Sequence, residues 1–213
     1  MTERYPGYDV MTKQWSPSWN EITRKVVNAR LAVPREPRFF TTDEWRTLQA
    51  VCARIMPQPA DGPQIPLPAY VDAKITDKHE DGYRYAELPH QGEAWRRGLA
   101  ALDQEAQEAH GGRFHTLPPD AQDDLLRRMQ QGELTSAAWG GMPCKPFFEH
   151  RVIADITHAY YAHPIAWSEI GFGGPASPRG YVRMGLNRRD PWEAAEAHPG
   201  EAAKAQRENQ RVG

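Results

Sequence analysis

The sequence predicts an all-α protein: an irregular bundle of about six helices with long Pro- and Gly-rich connections and an extended N-terminal arm. Three observations carry this. Apolar residues recur at helical spacing in several segments, most clearly Trp45, Leu48, Val51, Cys52 and Ile55. Alternating strand-like patterns are weak. The 19 prolines and 17 glycines cluster between the periodic segments, where proline's missing amide and glycine's backbone freedom disfavour helix.

The elements follow in order. Residues 1–17 read as an arm with Tyr5, Tyr8 and Trp15 among polar residues. The run SWNE places Glu21 three residues after Ser18, as a capping box does. It predicts a helix from Ser18 to about Leu31, with Ile22, Val26 and Ala29 on its inward face. VPREPR then breaks it. TTDE at 41–44 is a second capping box, opening a helix that stops at Met56, before Pro57. After PQPADGPQIPLP, residues 69–76 form a short helix. Trp95, Leu99, Leu102 and Ala106 mark a longer one over 92–110, stopped by Gly111-Gly112. Leu125, Leu126 and Met129 form the stripe of the next, which has Pro118 and Pro119 near its first turn. Residues 147–161 read as helix with Phe148, Val152, Ile156 and Ala159 or Tyr160 inward, and Pro164 ends or kinks it. Asp190-Pro191-Trp192-Glu193 looks like a capped helix start, and the rest of the tail reads as polar and frayed. The division expected is 1–38 arm and first helix, 39–185 helical domain and 186–213 tail.

Composition excludes several classes. Among 213 residues, 26 Lys and Arg balance 28 Asp and Glu without a basic block, so a nucleic-acid footprint is missing. No apolar run approaches the roughly 18 residues that a membrane span needs. The first fifteen residues, MTERYPGYDVMTKQW, hold no apolar core and no twin arginine. The expectation is a cytoplasmic chain, or a periplasmic one carried by a partner. Cys52 and Cys144 lie too far apart for a CxxC motif; Cys52 reads as core and Cys144 as a loop thiol, a candidate redox switch. Whether they pair is left open.

Candidate chemistry is thin. His150, Asp155, His158 and His163 lie within one short region, and a metal-dependent enzyme built on them is the alternative functional reading. On a helix, however, only Asp155 and His158 share a face, and a metal needs three or four converging ligands. GFGGPASPRG at 171–180 lacks the Gly-Lys-Ser/Thr ending of a phosphate loop and the helix-opening glycine of a dinucleotide fold. No nucleophile elbow occurs. The residues therefore point to a binding or structural subunit, with no catalytic, cofactor-binding or metal-binding residue assigned. The seven tryptophans suggest aromatic surface for a partner. The interface residues expected are Tyr5, Tyr8, Trp15, Trp19, Phe172, Tyr181 and Trp192.

Three blocks, FFTTDEWRTLQAVCARIMPQ, WRRGLAALDQEAQEAHGGRFHTLPPDAQDDLL and FFEHRVIADITHAYYAHPIAWSEIGFGGPASPRGY, occur in this order. Over about residues 39–185 the chain resembles the gluconate 2-dehydrogenase subunit 3 family. The resemblance implies a non-catalytic small subunit that aids folding, stability or export of a large partner. That partner would be an FAD-bearing dehydrogenase of the glucose-methanol-choline type, oxidising a sugar or alcohol, often with a cytochrome c as electron acceptor. No cofactor is expected in this chain, and the arm is expected to wrap the partner.

Overall fold

The computed structural model describes all residues except Met1, Thr2, Glu80, Tyr181 and Gly213. It holds nine α-helices and no strand among the described residues: α1 (Glu21–Leu31), α2 (Thr42–Ile55), α3 (Leu67–Thr76), α4 (Gln91–His110), α5 (Pro119–Gln131), α6 (Cys144–Phe147), α7 (Ala154–Tyr161), α8 (Pro164–Glu169) and α9 (Ala202–Asn209). The all-α class is as expected. The extra helices have local causes. A π-turn segment, Phe148–Ile153, separates α6 from α7 within one expected helix. Pro164 does not kink that helix but opens a new one at its first position, behind His163 as cap. The ninth lies in the tail.

The chain divides into two compact units, 33–160 and 1–32 with 161–213. The first is built around α4. Its stripe Trp95, Leu99, Leu102 and Ala106 is fully buried, together with Leu48, Val51 and Cys52 of α2 and Leu125, Leu126 and Met129 of α5. The capping box of α2 forms as read: Thr41 accepts from Glu44 N, and Glu44 accepts from Thr41 N at 2.8 Å. α4 and α5 end on Gly111 and Gly132 at φ +74° and +83°, left-handed positions that glycine takes without a Cβ clash. Gly98 serves a different purpose. A Cβ there would lie 2.2 Å from the Phe147 ring, so the missing side chain is the space Phe147 fills.

The other unit has its own core of Tyr8, Val10, Trp19, Val27, Trp167 and Val212. The N-terminal segment is therefore packed rather than extended: Val10–Trp15 winds into a 3-10 helix capped by Asp9, and Lys13 is fully buried. The loop after α8 folds onto it. Gly171 and Gly174 adopt φ of +70° and +69°. A Cβ would lie 2.5 Å from the Tyr5 ring at Gly171 and 3.1 Å from Val10 at Gly174. Glycine there satisfies both the backbone angle and the close approach. The tail is ordered onto the same core through Asn209, whose amide bonds Ala195 N, Ala195 O and Pro6 O. The expected helix start at Asp190 is instead a turn, in which Glu193 N donates to Asp190 O and Glu193 Oε2 accepts from Asp190 N.

Candidate functional site

The first helix corrects the sequence reading in a way that bears on function. Its cap is Asn20, whose side chain accepts from Thr23 N, so the helix starts later than the SWNE pattern implies. The stripe Ile22, Val26, Ala29 exists but faces outward. α1 buries Thr23 and Val27 instead, leaving Ile22 72% and Val26 53% exposed. Leu31 is exposed too, on a different side of the helix. Trp15, 80% exposed, lies against another side of α1: the Arg24 guanidinium is 5.7 Å from its ring centroid and also donates to Gln14 O and Trp19 O. A branched aliphatic stripe and an indole left in water are costly at about 25 cal/mol per Å² of apolar area. Ile22 and Val26, neighbours across one turn, form an exposed apolar stripe of the kind that marks an association surface.

The remaining expected interface residues fall into three groups. Tyr8 and Trp19 are core residues, whose rings are already covered by this chain; Tyr8 Oη donates to Phe172 O at 3.3 Å. Tyr5 and Trp192 are half-buried, with Trp192 under the Arg179 guanidinium at 4.5 Å. Phe172 and Trp15 are exposed. Tyr181 lies outside the described residues. Other large apolar residues are exposed without having been expected at an interface, among them Ile22, Val26, Val182, Met184 and Leu186. Ile22 and Val26 were assigned to the inside because periodicity identifies an apolar face but not what covers it.

The His/Asp region does not form one site. His150 stacks on Tyr85, with ring centroids 3.5 Å apart and an interplanar angle of 7°. His158 is exposed. His163 is a helix cap, its Nδ1 accepting from Ile165 N at 3.1 Å. Among the described residues no three His, Cys, Asp or Glu groups converge as metal ligands. Asp155 is buried in an ion network instead. Its Oδ1 receives Lys74 Nζ at 2.8 Å and lies 3.6 Å from Arg151 Nη1. Its Oδ2 accepts from Gln91 Nε2 at 3.0 Å and Trp95 Nε1 at 2.8 Å. Asp81 completes the set, bonded to Lys74 at 2.8 Å and Arg151 at 2.9 Å. Burial pushes the Asp81 carboxyl up, but the bonds from Lys74 and Arg151 outweigh it and hold it below the ordinary carboxylate range. Two carboxylates neutralise two cations, and the network ties α3, the 77–90 connection, α4 and the π-turn segment together. Buried ion pairs of this kind fix geometry more than they add stability. The Asp155 oxygens are taken up by three hydrogen bonds within the network.

The two cysteines are free and buried. Cys144 opens α6 rather than lying in an open loop, and burial pushes its thiol up against the opposing pull of backbone hydrogen bonds. Burial alone pushes Cys52 up. Neither thiol is a ready nucleophile, since the thiolate is the reactive form.

A cleft of about 1080 Å³ opens in the unit formed by the two chain ends, between the Gly171–Gly174 loop and the 179–208 tail. Lys13 lies along its wall, and its buried Nζ donates to Gly173 O at 3.3 Å and Trp192 O at 2.5 Å.

The model of the family described as Gluconate 2-dehydrogenase subunit 3 matches residues 42–174, well over half of the chain. The chain belongs to the gluconate 2-dehydrogenase subunit 3 family. The matched span runs from the first turn of α2 to the last glycine of the Gly171–Gly174 loop. It contains the whole Asp155 network and the Gly98–Phe147 contact, and so covers the scaffold. Trp15, Ile22 and Val26 lie outside it. Comparison with curated proteins and with solved structures gave no match. Members of this family are subunits of a dehydrogenase complex. No helix among the described residues is long and apolar enough to cross a membrane.

Proposed function

We propose that this chain is the non-catalytic small subunit of an FAD-dependent sugar or alcohol dehydrogenase complex. Its mechanism is binding. It associates with a large flavoprotein chain of the glucose-methanol-choline type and favours that chain's folded, flavin-loaded state by mass action. The large chain carries the flavin and the substrate, and a cytochrome c takes the electrons in complexes of this kind. The observation that carries the reading is the uncovered α1 stripe: Ile22 and Val26, one helical turn apart, face water at 72% and 53% exposure. In a subunit of a dehydrogenase complex, the large chain is the natural cover for that face. Buried aromatic and aliphatic anchors of this type commonly dominate association energy. The committed state of the polar side chains agrees with a role without chemistry: the Asp155 network is charge-balanced, and the histidines are stacked, exposed or capping.

The test is production of the large chain with and without this subunit. With it, the large chain is soluble and carries stoichiometric flavin. Without it, or with Ile22→Asp and Val26→Asp together in this subunit, the large chain is depleted of flavin or aggregates. A large chain equally soluble, flavin-loaded and active alone contradicts the proposal.

A further inference from the structure

The cleft between the Gly171–Gly174 loop and the tail is electrostatically unbalanced. Each of its four lining glutamates already has a cation: Glu193 has Arg183 at 3.3 Å, Glu196 has Arg4 at 2.9 Å, Glu201 has Lys204 at 3.7 Å and Glu208 has Arg189 at 2.8 Å. Three lining cations, Lys13, Arg179 and Arg188, pair with no carboxylate among the described residues. Trp192 holds two of them. Its carbonyl receives Lys13 Nζ, and its ring lies under Arg179, whose Nε donates to Ser18 Oγ at 3.3 Å. Neither contact supplies a negative charge. A lysine with no exposed surface, hydrogen-bonded only to carbonyls, bears a desolvation cost that the pull of Glu193 offsets only in part and that a further anion would reduce.

The same cleft also has exposed apolar lining. Phe172 is 40% and Val182 60% exposed, and both line it. Met184 and Leu186 follow Val182 at two-residue spacing and are 75% and 92% exposed. Cations without a carboxylate partner next to exposed apolar side chains fit a chain segment that presents carboxylates next to apolar side chains.

We infer that this cleft is a second docking site for the large dehydrogenase chain and takes an acidic, apolar-flanked segment of it. Carboxylates of that segment would meet Arg179 and Arg188 and approach Lys13, while its apolar side chains pack on Phe172 and Val182. The inference rests on the reading proposed above and adds an ionic contact to the apolar α1 face. Electrostatic complementarity of this kind sets partner choice and association rate, and its contribution falls as salt screens it.

The experiment measures dissociation constants for the purified subunit and large chain at about 50 and 500 mM NaCl, where the screening length shrinks severalfold. Variants are Arg188→Glu, Arg179→Gln and, separately, Ile22→Ser with Val26→Ser. Arg188 is exposed and has no carboxylate partner among the described residues, so Arg188→Glu tests the cleft even if Arg179→Gln disturbs Trp192; circular dichroism checks both folds. The expected result is at least tenfold weaker binding of the cleft variants at low salt, and convergence with the unmodified chain at high salt. The α1 variants should weaken binding equally at both salts. Cleft variants that bind with unmodified affinity and salt dependence overturn the inference and leave the proposed function standing. So would Arg179-dependent binding of free citrate by calorimetry with partner affinity unchanged, which would make the cleft a small-anion site. Absence of any complex overturns the proposed function itself.

Discussion

Trp95 Nε1 donates to Asp155 Oδ2 at 2.8 Å, joining two fully buried side chains from α4 and α7. The indole is also wedged edge-on against Phe40 and Phe147, at centroid distances of 6.4 and 5.5 Å. Hydrophobic packing and the ion network thus meet at one residue. Asp155→Ala removes the acceptor for Lys74, Gln91 and Trp95 at once and leaves a buried cation with less compensation. The expected loss is about 3–5 kcal/mol of stability, read from urea unfolding. Asp155→Asn, which keeps the shape and one carbonyl oxygen, should lose less.

Glycine-to-alanine changes inside helices normally stabilise by about 1 kcal/mol. Gly98→Ala should have the opposite sign, because its methyl would enter the Phe147 ring. Overpacking of this kind costs about 1–3 kcal/mol. Pairing it with Phe147→Leu should recover part of the loss, which a double-mutant cycle would detect.

Lys13 gives the unit formed by the chain ends a pH signature. Burial first, then Arg179, pull its ammonium down to about 8 from 10.5, against the upward pull of Glu193. Its other neighbours are carbonyls and the Tyr8 ring, 5.5 Å away. Below about pH 8 native and unfolded chains both hold the proton. Between about 8 and 10.5 only the unfolded chain does, so this residue makes stability rise with pH across that window. Tyr8, pushed up by burial, acts in the opposite direction only above its unfolded value of 10.0. Thermal unfolding from pH 7.5 to 9.5 should show the rise, and Lys13→Met should flatten it.

Cys52 and Cys144 should react slowly with a disulfide reagent at pH 8 in the native chain and rapidly after unfolding, as both thiols are buried. Fast labelling of Cys144 in the folded chain would revive a redox role for it.

The sequence predicted the scaffold better than the surface, and the reason is physical. Helix stripes such as Trp95–Ala106 and stops such as Gly111 and Gly132 are local codes written within one or two turns. The Lys74–Asp155 pair spans 81 residues, so no local pattern announces it. The glycines at 171 and 174 were legible as a loop, but the arm they pack against was not. Their role follows from Tyr5 and Val10, more than 160 positions away. Ile22 and Val26 show the converse. Their periodicity was legible and their inward direction was not, since an apolar stripe is the same whether its own chain or a second chain covers it.

That stripe is where the functional account is most exposed. Ile22→Ser with Val26→Ser should leave the isolated subunit's stability within about 0.5 kcal/mol, because surface positions away from the core contribute little. The decisive measurement is co-purification of a flavin-containing dehydrogenase chain, at a fixed ratio, with the tagged unmodified subunit and with this double variant. The account predicts a stoichiometric flavoprotein with the first and its loss with the second. Equal recovery with both, or none with the unmodified chain, would contradict it.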